Sequence, residues 1–395
     1  MKKKILIINI GWEQEPLIER LFLMGFEVYA VHYDDNYNKK YPFSKVLISD
    51  LRDLEQIISF GYEIKPQAVI SDECDYSNFA QAVVANTLGL PGPKIEQAQI
   101  SANKYLQRLR AQSNGVLVPA YKLASNLNDL KEFIANNGYP VIIKPIDNRG
   151  SFGVTKVNDE NELQSAFINA LLNSYSRLVL IEQFIDGYEI TVDGYCFEGT
   201  PRTLSLAKKS KEGLNIQVSM DIKYPGDIPF EIYSKAVKNN DFVTKSLGYN
   251  FGMTHSEYII DSKNDIYLVE SANRGGGVYT SEIIVPKVSG IDVLGAYIND
   301  CTMGDACIGY STPLQNSVIL KFFSFSPGRI KSIKGIEELT NTNGVLKFRL
   351  AVKAGDEILP IKNDGNRHGF IVYTTNGDLR AEVKIIIEKL QVEYI

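Results

Sequence analysis

The chain has 395 residues, 44% of them hydrophobic, and a formal net charge of −5. At about 100–200 residues per domain it holds two to four domains with a sizeable core, and no run of about 18 apolar residues offers a membrane span. With no basic cluster beyond Lys2–Lys4, nucleic acid is excluded as the main partner.

The opening MKKKILIINIG starts like a signal peptide, but its apolar run is short and the acids of GWEQE follow at once, so it reads as a first strand. Cys74, Cys196, Cys301 and Cys307 lack CxxC spacing and nearby histidines. Neither a zinc site nor a disulfide framework is expected, and a reducing cytoplasm suits the chain. Lys4–Ile10, Glu27–His32, Val46–Ser49 and Ala68–Ser71 read as buried strands, with an amphipathic helix over Pro16–Met24 stopped by Gly25. This βα alternation predicts a parallel, Rossmann-like sheet. The first strand runs into IGWEQE, which has one glycine where GxGxxG is needed, so a dinucleotide site is excluded. SDECDYSN places Asp72, Glu73 and Asp75 at the carboxyl end of the fourth strand, where open α/β sheets hold ligands. The ordinary role for each is helix N-capping; the functional one is receipt of a cationic amino group.

A helix predicted over Ile95–Gln112 sets Lys104 and Arg108 four apart on one face, ordinarily a solvated stripe. In the next α/β unit, Val141–Pro145 is a strand carrying Lys144, and Asn148–Val154 is a loop with Gly150, Ser151 and Gly153. Small residues let backbone N–H groups approach phosphate, although a hairpin with glycines and an exposed lysine reads the same way. No Walker motif is present. Two strands meet at Asp186-Gly187, and in isolation Glu182 and Glu189 are exposed strand acids. Lys208 and Lys209 face either solvent or phosphate, solvent being the expected side.

Thr254–Ile260 and Tyr267–Ser271, joined by DSKND, predict a β-hairpin. Pairing Ile260 with Tyr267 sets Glu257 opposite Glu270, with Cβ atoms roughly 5 Å apart. Like charges so placed repel unless neutralised, and Mg²⁺ is typically held by one or two carboxylates plus substrate phosphates. A solvated acid pair in another register is the alternative. A helix near Val285–Thr302, a strand-rich tail and a last helix over about Leu379–Leu390 complete the chain.

The order of these features resembles the ATP-grasp superfamily over most of the chain: Lys104, then KP with a small-residue loop, then ExFIxGxE, then two acids across a hairpin followed by Arg274 and glycines. The resemblance implies an α/β and α+β multidomain fold, with a Rossmann-like N-terminal domain (1–95) followed by the ATP-grasp fold. A linker helix (96–115), a lid subdomain (116–185) and a large subdomain with a strand-rich tail (186–395) would make up the rest. Lys104 and Lys144 resemble the phosphate-binding lysines, and Gly150, Ser151 and Gly153 the loop that closes over the triphosphate. Glu182, Gln183, Phe184 and Ile185 resemble the strand that reads adenine, and Glu189 the ribose-binding acid. Glu257 and Glu270 look like the Mg²⁺ ligands. Arg274 and Lys144 look like the catalytic cations, Arg274 orienting the acceptor and stabilising an acyl phosphate. GMTHSEY is similar to the G-x-x-H-x-E strand of the amino-acid-ligase branch, which puts His255 at substrate, a core histidine being the alternative. Gly275 and Gly276 suit an anionic carboxylate, and Asp72 and Glu73 a cationic amine. Many members carry Asn two residues after the second acid; Ala272 stands there, and Asn273 is displaced by one.

The activity implied is an ATP-dependent carboxylate–amine ligase of the L-amino-acid-ligase and carnosine-synthase-like branch. It would use small-molecule acid and amine substrates, pass through an acyl phosphate and release ADP and phosphate. Two other readings stay open: a carboxylase-like or purine-biosynthetic enzyme using bicarbonate, and a non-catalytic ATP-binding protein. A homodimer would be ordinary for the family.

Overall fold

The computed structural model describes residues 2–37, 40–211, 218–303 and 317–395; Cys307 lies outside them. Four parallel strands come first: β1 (Lys4–Ile8), β2 (Glu27–His32), β3 (Lys45–Ile48) and β4 (Ala68–Ile70), in the order β3-β2-β1-β4. Their apolar runs are continuous because both faces are covered. Ile5, Ile7 and Val28 pack with α1 (Glu15–Leu23); Leu6, Ile8 and Val31 pack with α2 (Leu54–Ile64) and α3 (Asp75–Leu88). A helix from much later in the chain, Val293–Thr302, completes the first face with Leu294, Tyr297 and Ile298.

The connecting helix expected over Ile95–Gln112 is two helices, α4 (Ile95–Ser101) and α5 (Lys104–Ser113). The break falls at Asn103, whose backbone is extended and whose Oδ1 accepts the N–H groups of Tyr105 and Leu106 at 3.0 and 3.1 Å. These are two of the donors that a helix start leaves without partners. Lys104 therefore opens a helix, and its own N–H donates to the Ile146 carbonyl at 2.8 Å.

β5 (Tyr121–Ala124), β6 (Val141–Pro145), β7 (Thr155–Val157) and β8 (Val179–Gln183) form an antiparallel sheet in the order β5-β8-β6-β7. α6 (Leu127–Asn137) and α7 (Glu160–Leu172) back it through Leu130, Phe133, Leu163 and Phe167. Leaving β8, the chain crosses to the largest sheet. Its strands are β9 (Gly187–Phe197), β10 (Thr200–Ser210), β11 (Asp221–Tyr224), β12 (Gly252–Asp261) and β13 (Ile266–Ala272). From the tail it gains β14 (Ser317–Phe322), β16 (Val345–Leu350) and β18 (Gly369–Thr375), giving the order β13-β12-β9-β10-β11-β14-β18-β16. β15 (Gly328–Lys334) pairs with β17 (Glu357–Ile358) and β19 (Gln391–Tyr394) beside it. Ile190, Val192, Tyr258 and Ile260 point to the core under α8 (Phe230–Leu247), so strand alternation turns Glu189, Thr191, Asp193, His255 and Glu257 to the other face.

The β12–β13 register differs from the expected one at the turn, where Ile260 pairs with Ile266 rather than Tyr267. A bulge then places one extra residue, Val269, in β13, and Glu257 faces Glu270 as the other register would have had it. The helix expected over Val285–Thr302 is interrupted at Gly290 (φ 76°) and restarts at Val293, where Asp292 Oδ1 accepts the Gly295 N–H at 3.0 Å. The last helix ends at Ile387, because the following residues turn into β19.

Candidate active site

Two adjoining cavities, of about 210 and about 460 Å³, open where the parallel sheet, the β5-β8-β6-β7 sheet and the largest sheet meet. Lys104, Lys144, Gly150, Ser151, Glu182 to Ile185 and Glu189 line the smaller. Trp12, Glu13, Glu73, His255, Arg274 and Arg349 line the larger. Lys209, Glu257, Glu270, Asp364 and Arg367 line both.

At the smaller cavity, Glu182 is the buried anion between two cations. Its Oε1 accepts from Arg108 Nε and its Oε2 from Lys144 Nζ, each at 2.5 Å. Burial pushes the carboxyl pKa up, but Arg108 and Lys144 outweigh it and hold Glu182 below the ordinary carboxylate range. The Glu182 side chain is thus committed to charge balance. Arg108 also donates through Nη2 to the Val269 carbonyl at 2.7 Å, so the α5 face carrying Lys104 and Arg108 is buried rather than a solvated stripe. Gly150 and Ser151 both sit at positive φ (62° and 59°) in the loop beside these lysines. Glu189 pairs with Lys211 at 2.5 Å.

The facing acids are neutralised by lysines. Lys104 Nζ lies 3.1 Å from Glu270 Oε2 and donates to the Asn148 carbonyl at 2.6 Å, while Lys209 Nζ pairs with Glu257. This corrects the expectation that Lys209 faces solvent: β10 pairs Lys208 with Ile190, so Lys209 falls on the Glu189–Thr191 face and Lys208 lies over the Tyr188 ring. His255 Nδ1 lies 2.7 Å from Asp193 Oδ1 and its Nε2 3.8 Å from Glu257. Burial works against the imidazolium, yet Asp193 and Glu257 outweigh it and raise the His255 pKa to about 9. Burial raises the pKa of half-buried Glu257, but Lys209 and His255 outweigh it and keep the carboxyl ionised far below the usual range. Among the described residues no group of three His, Cys, Asp or Glu side chains converges on a metal position. Two opposed carboxylates on a cavity wall nevertheless fit Mg²⁺ that takes its other ligands from phosphate and water. Asn273 does not join them: it is buried and lines neither cavity, and its Nδ2 donates to the Phe251 and Met253 carbonyls at 2.7 and 3.0 Å.

On the N-terminal side, none of the three acids of SDECDYSN caps a helix. α3 begins at Asp75, and its cap residue Cys74 makes no side-chain bond. Asp75 instead grips Arg274 through two bonds, Nε to Oδ1 at 2.7 Å and Nη2 to Oδ2 at 2.9 Å. Asp72 Oδ1 accepts the N–H groups of Glu73 and Gly275 at 2.8 and 2.9 Å. Glu73 alone of the three lines the cavity, and Asp72 and Asp75 are buried beside it. Gly275 and Gly276 are buried behind the wall as well, and Gly277 lines it in their place. Their lack of a Cβ serves packing: one on Gly275 would stand 2.6 Å from Asp72 Oδ1, and one on Gly276 2.6 Å from His255 Nδ1.

Sequence reasoning passed over Glu13, Glu282, Arg349, Asp364 and Arg367. Glu73 is fully buried and Glu282 half-buried beside it; burial first, then the charges of Glu13 and Asp72 on Glu73 and of Glu73 and Asp72 on Glu282, raise both carboxyls well above the ordinary range. Asp72, Glu73 and Glu282 each keep one oxygen with no protein donor. The five residues passed over come from four chain segments, Asp364 and Arg367 sharing one, and no local spacing connects those segments. The one sequence signal was Glu13, in the loop after the first strand, the same carboxyl edge that drew attention to Glu73.

An ATP-grasp domain is matched by residues 137–282 and the L-amino acid ligase C-terminal domain 2 by residues 321–393. The chain is 24% identical over 282 residues to dapdiamide A synthase of Enterobacter agglomerans, covering 66% of this chain but only 64% of that protein's length. It is 30% identical over 209 residues to D-alanine–D-alanine ligase B of Chromobacterium violaceum, 51% of this chain and 67% of that one. The crystal structure of L-amino acid ligase from Bacillus licheniformis superposes with a TM-score of 0.86 at 21% identity, over 100% of this chain and 99% of that one. The chain belongs to the ATP-grasp superfamily and carries the C-terminal domain type of its L-amino acid ligases.

Proposed function

We propose that the protein is an ATP-dependent carboxylate–amine ligase that forms a peptide or amide bond through an acyl phosphate and releases ADP and phosphate. One observation carries the reading: the two cavities meet at Glu257 and Glu270, with lysines and a small-residue loop on one side and Arg274 and buried acids on the other. ATP belongs in the first cavity and the two substrates in the second. Relatives with the names dapdiamide A synthase and D-alanine–D-alanine ligase support amide chemistry on amino-acid-like substrates.

In this reading Lys104, Lys144 and the Gly150–Gly153 loop hold the phosphates, Gln183 to Ile185 face adenine through their backbone, and Glu189 takes the ribose. Glu257 and Glu270 hold Mg²⁺, which supplies charge neutralisation at the phosphates; Ala272 leaves two carboxylates as the protein's share. Lys104 and Lys209, which balance those acids in the ligand-free protein, turn to phosphate oxygens. Arg274, fixed by Asp75, orients the substrate carboxylate for attack on the γ-phosphate, and His255 lines the same wall. Glu73, with Glu13 beside it, accepts the cationic amino group. Positioning and charge neutralisation are most of what phosphoryl transfer needs, and closure of the loop keeps water from the acyl phosphate. The reaction is placed in the cytoplasm, where ATP and reduced thiols are available; Cys74, Cys196 and Cys301 are all buried and free.

ADP and phosphate release across a matrix of carboxylic acids and amines, with mass detection of products, tests the proposal. Release should need one acid and one amine and yield a product lighter than their sum by one water. Release with bicarbonate alone would replace the ligase reading with a carboxylase-like one.

A further inference from the structure

The loop that precedes β18 reaches into the junction of the two cavities. The Asp364 N–H donates to the Gly150 carbonyl of the small-residue loop at 3.1 Å. Phe152 of that loop packs on Gly365, where an added Cβ would stand 3.0 Å from the ring. Arg367, with its side chain 12% exposed, lines both cavities. Its Nη2 donates to the Ser219 carbonyl at 2.7 Å and pairs with Asp364 at 2.9 Å, and its guanidinium stacks 3.6 Å from the Phe322 ring centroid. Its Nε has no hydrogen-bond partner.

Like Arg367, the other junction cations have protein partners. Lys209 is bound to Glu257, and Arg149 donates to the Glu73 carbonyl at 3.2 Å. Arg274 lines only the larger cavity and is held by Asp75 and by the Gly275 carbonyl at 2.9 Å. A transferring phosphoryl group spreads charge over three equatorial oxygens, and a planar guanidinium, with its N–H groups in a fixed fork, matches that geometry better than an ammonium.

We propose that Arg367 is the cation that binds the phosphoryl group in flight between nucleotide and acid, and that the Asp364–Gly150 bond sets it in place when the small-residue loop closes. The inference rests on the ATP-dependent ligase reading. It makes the C-terminal segment part of the reaction centre.

Binding of MgADP to the full chain, alone and with aluminium fluoride as the phosphoryl mimic, tests it. Wild-type protein should bind MgADP about 100-fold more tightly with the fluoride. Arg367→Gln keeps a donor for the Ser219 carbonyl but loses the charge. It should hold MgADP within about threefold and lose most of the fluoride-dependent gain, and Arg367→Lys should recover part of it. Retained MgADP affinity serves as the folding control. If R367Q loses MgADP altogether, R367K decides: a gain between wild type and none supports the inference, and a full gain overturns it. A full gain in R367Q, or no gain in wild type, overturns the assignment of Arg367 and leaves the ligase reading standing. A wild type that binds no MgADP overturns both.

Discussion

Replacing Glu182 with Gln removes the charge that ties α5 to the lid sheet. The carboxylate is 4% exposed and its partners Arg108 and Lys144 are 0% and 6% exposed, so solvent screens little of the interaction. The amide oxygen can still accept from Arg108 Nε, but its NH₂ then meets the Lys144 ammonium, donor against donor. Arg108 Nη1 already lacks a partner, so no other group takes over. Breaking a buried ion pair from one side costs about 3–5 kcal/mol, because the remaining charge stays buried. With about 1.4 kcal/mol per factor of ten, the amides of β8 should exchange roughly 150- to 4,000-fold faster if they open by local unfolding. Hydrogen exchange with mass detection, at fixed pH and in the absence of nucleotide, measures this directly. A change below about fivefold would refute the reasoning and show that water or relaxation screens the cluster.

Glu270→Gln should abolish ADP release, because it removes one of the two opposed carboxylates and the partner of Lys104; near-normal turnover would remove the metal assignment. The Glu282 carboxyl is held well above 4.5, so the folded state keeps a proton that the unfolded chain loses, and stability falls as pH rises from 4.5. Glu282→Gln removes that slope: its urea midpoint should match wild type near pH 4 and exceed it at about pH 8. Parallel midpoints at the two pH values would show that Glu282 is not held protonated.

The sequence by itself determined what depends on neighbours along the chain. Continuous apolar runs marked β1, β2 and β4, and the DSKND turn marked the β12–β13 hairpin with its two acids on one face. Boundaries failed where one side chain overrode the pattern, as Asn103 does in splitting α4 from α5. The tertiary structure alone decided which charges meet. Asp75 and Arg274 are 199 residues apart, and the second removed the first from the helix cap that local chemistry assigned it. Lys209 joined the site through the register of β10 on β9, and a shift of one residue would have pointed it the other way. Arg367 reached the junction only because β18 lies beside β14 in a sheet whose other strands begin at Gly187. Spacing along the chain carries the period of a strand or helix, whereas the partner of a buried charge is set by sheet register and by the docking of distant elements.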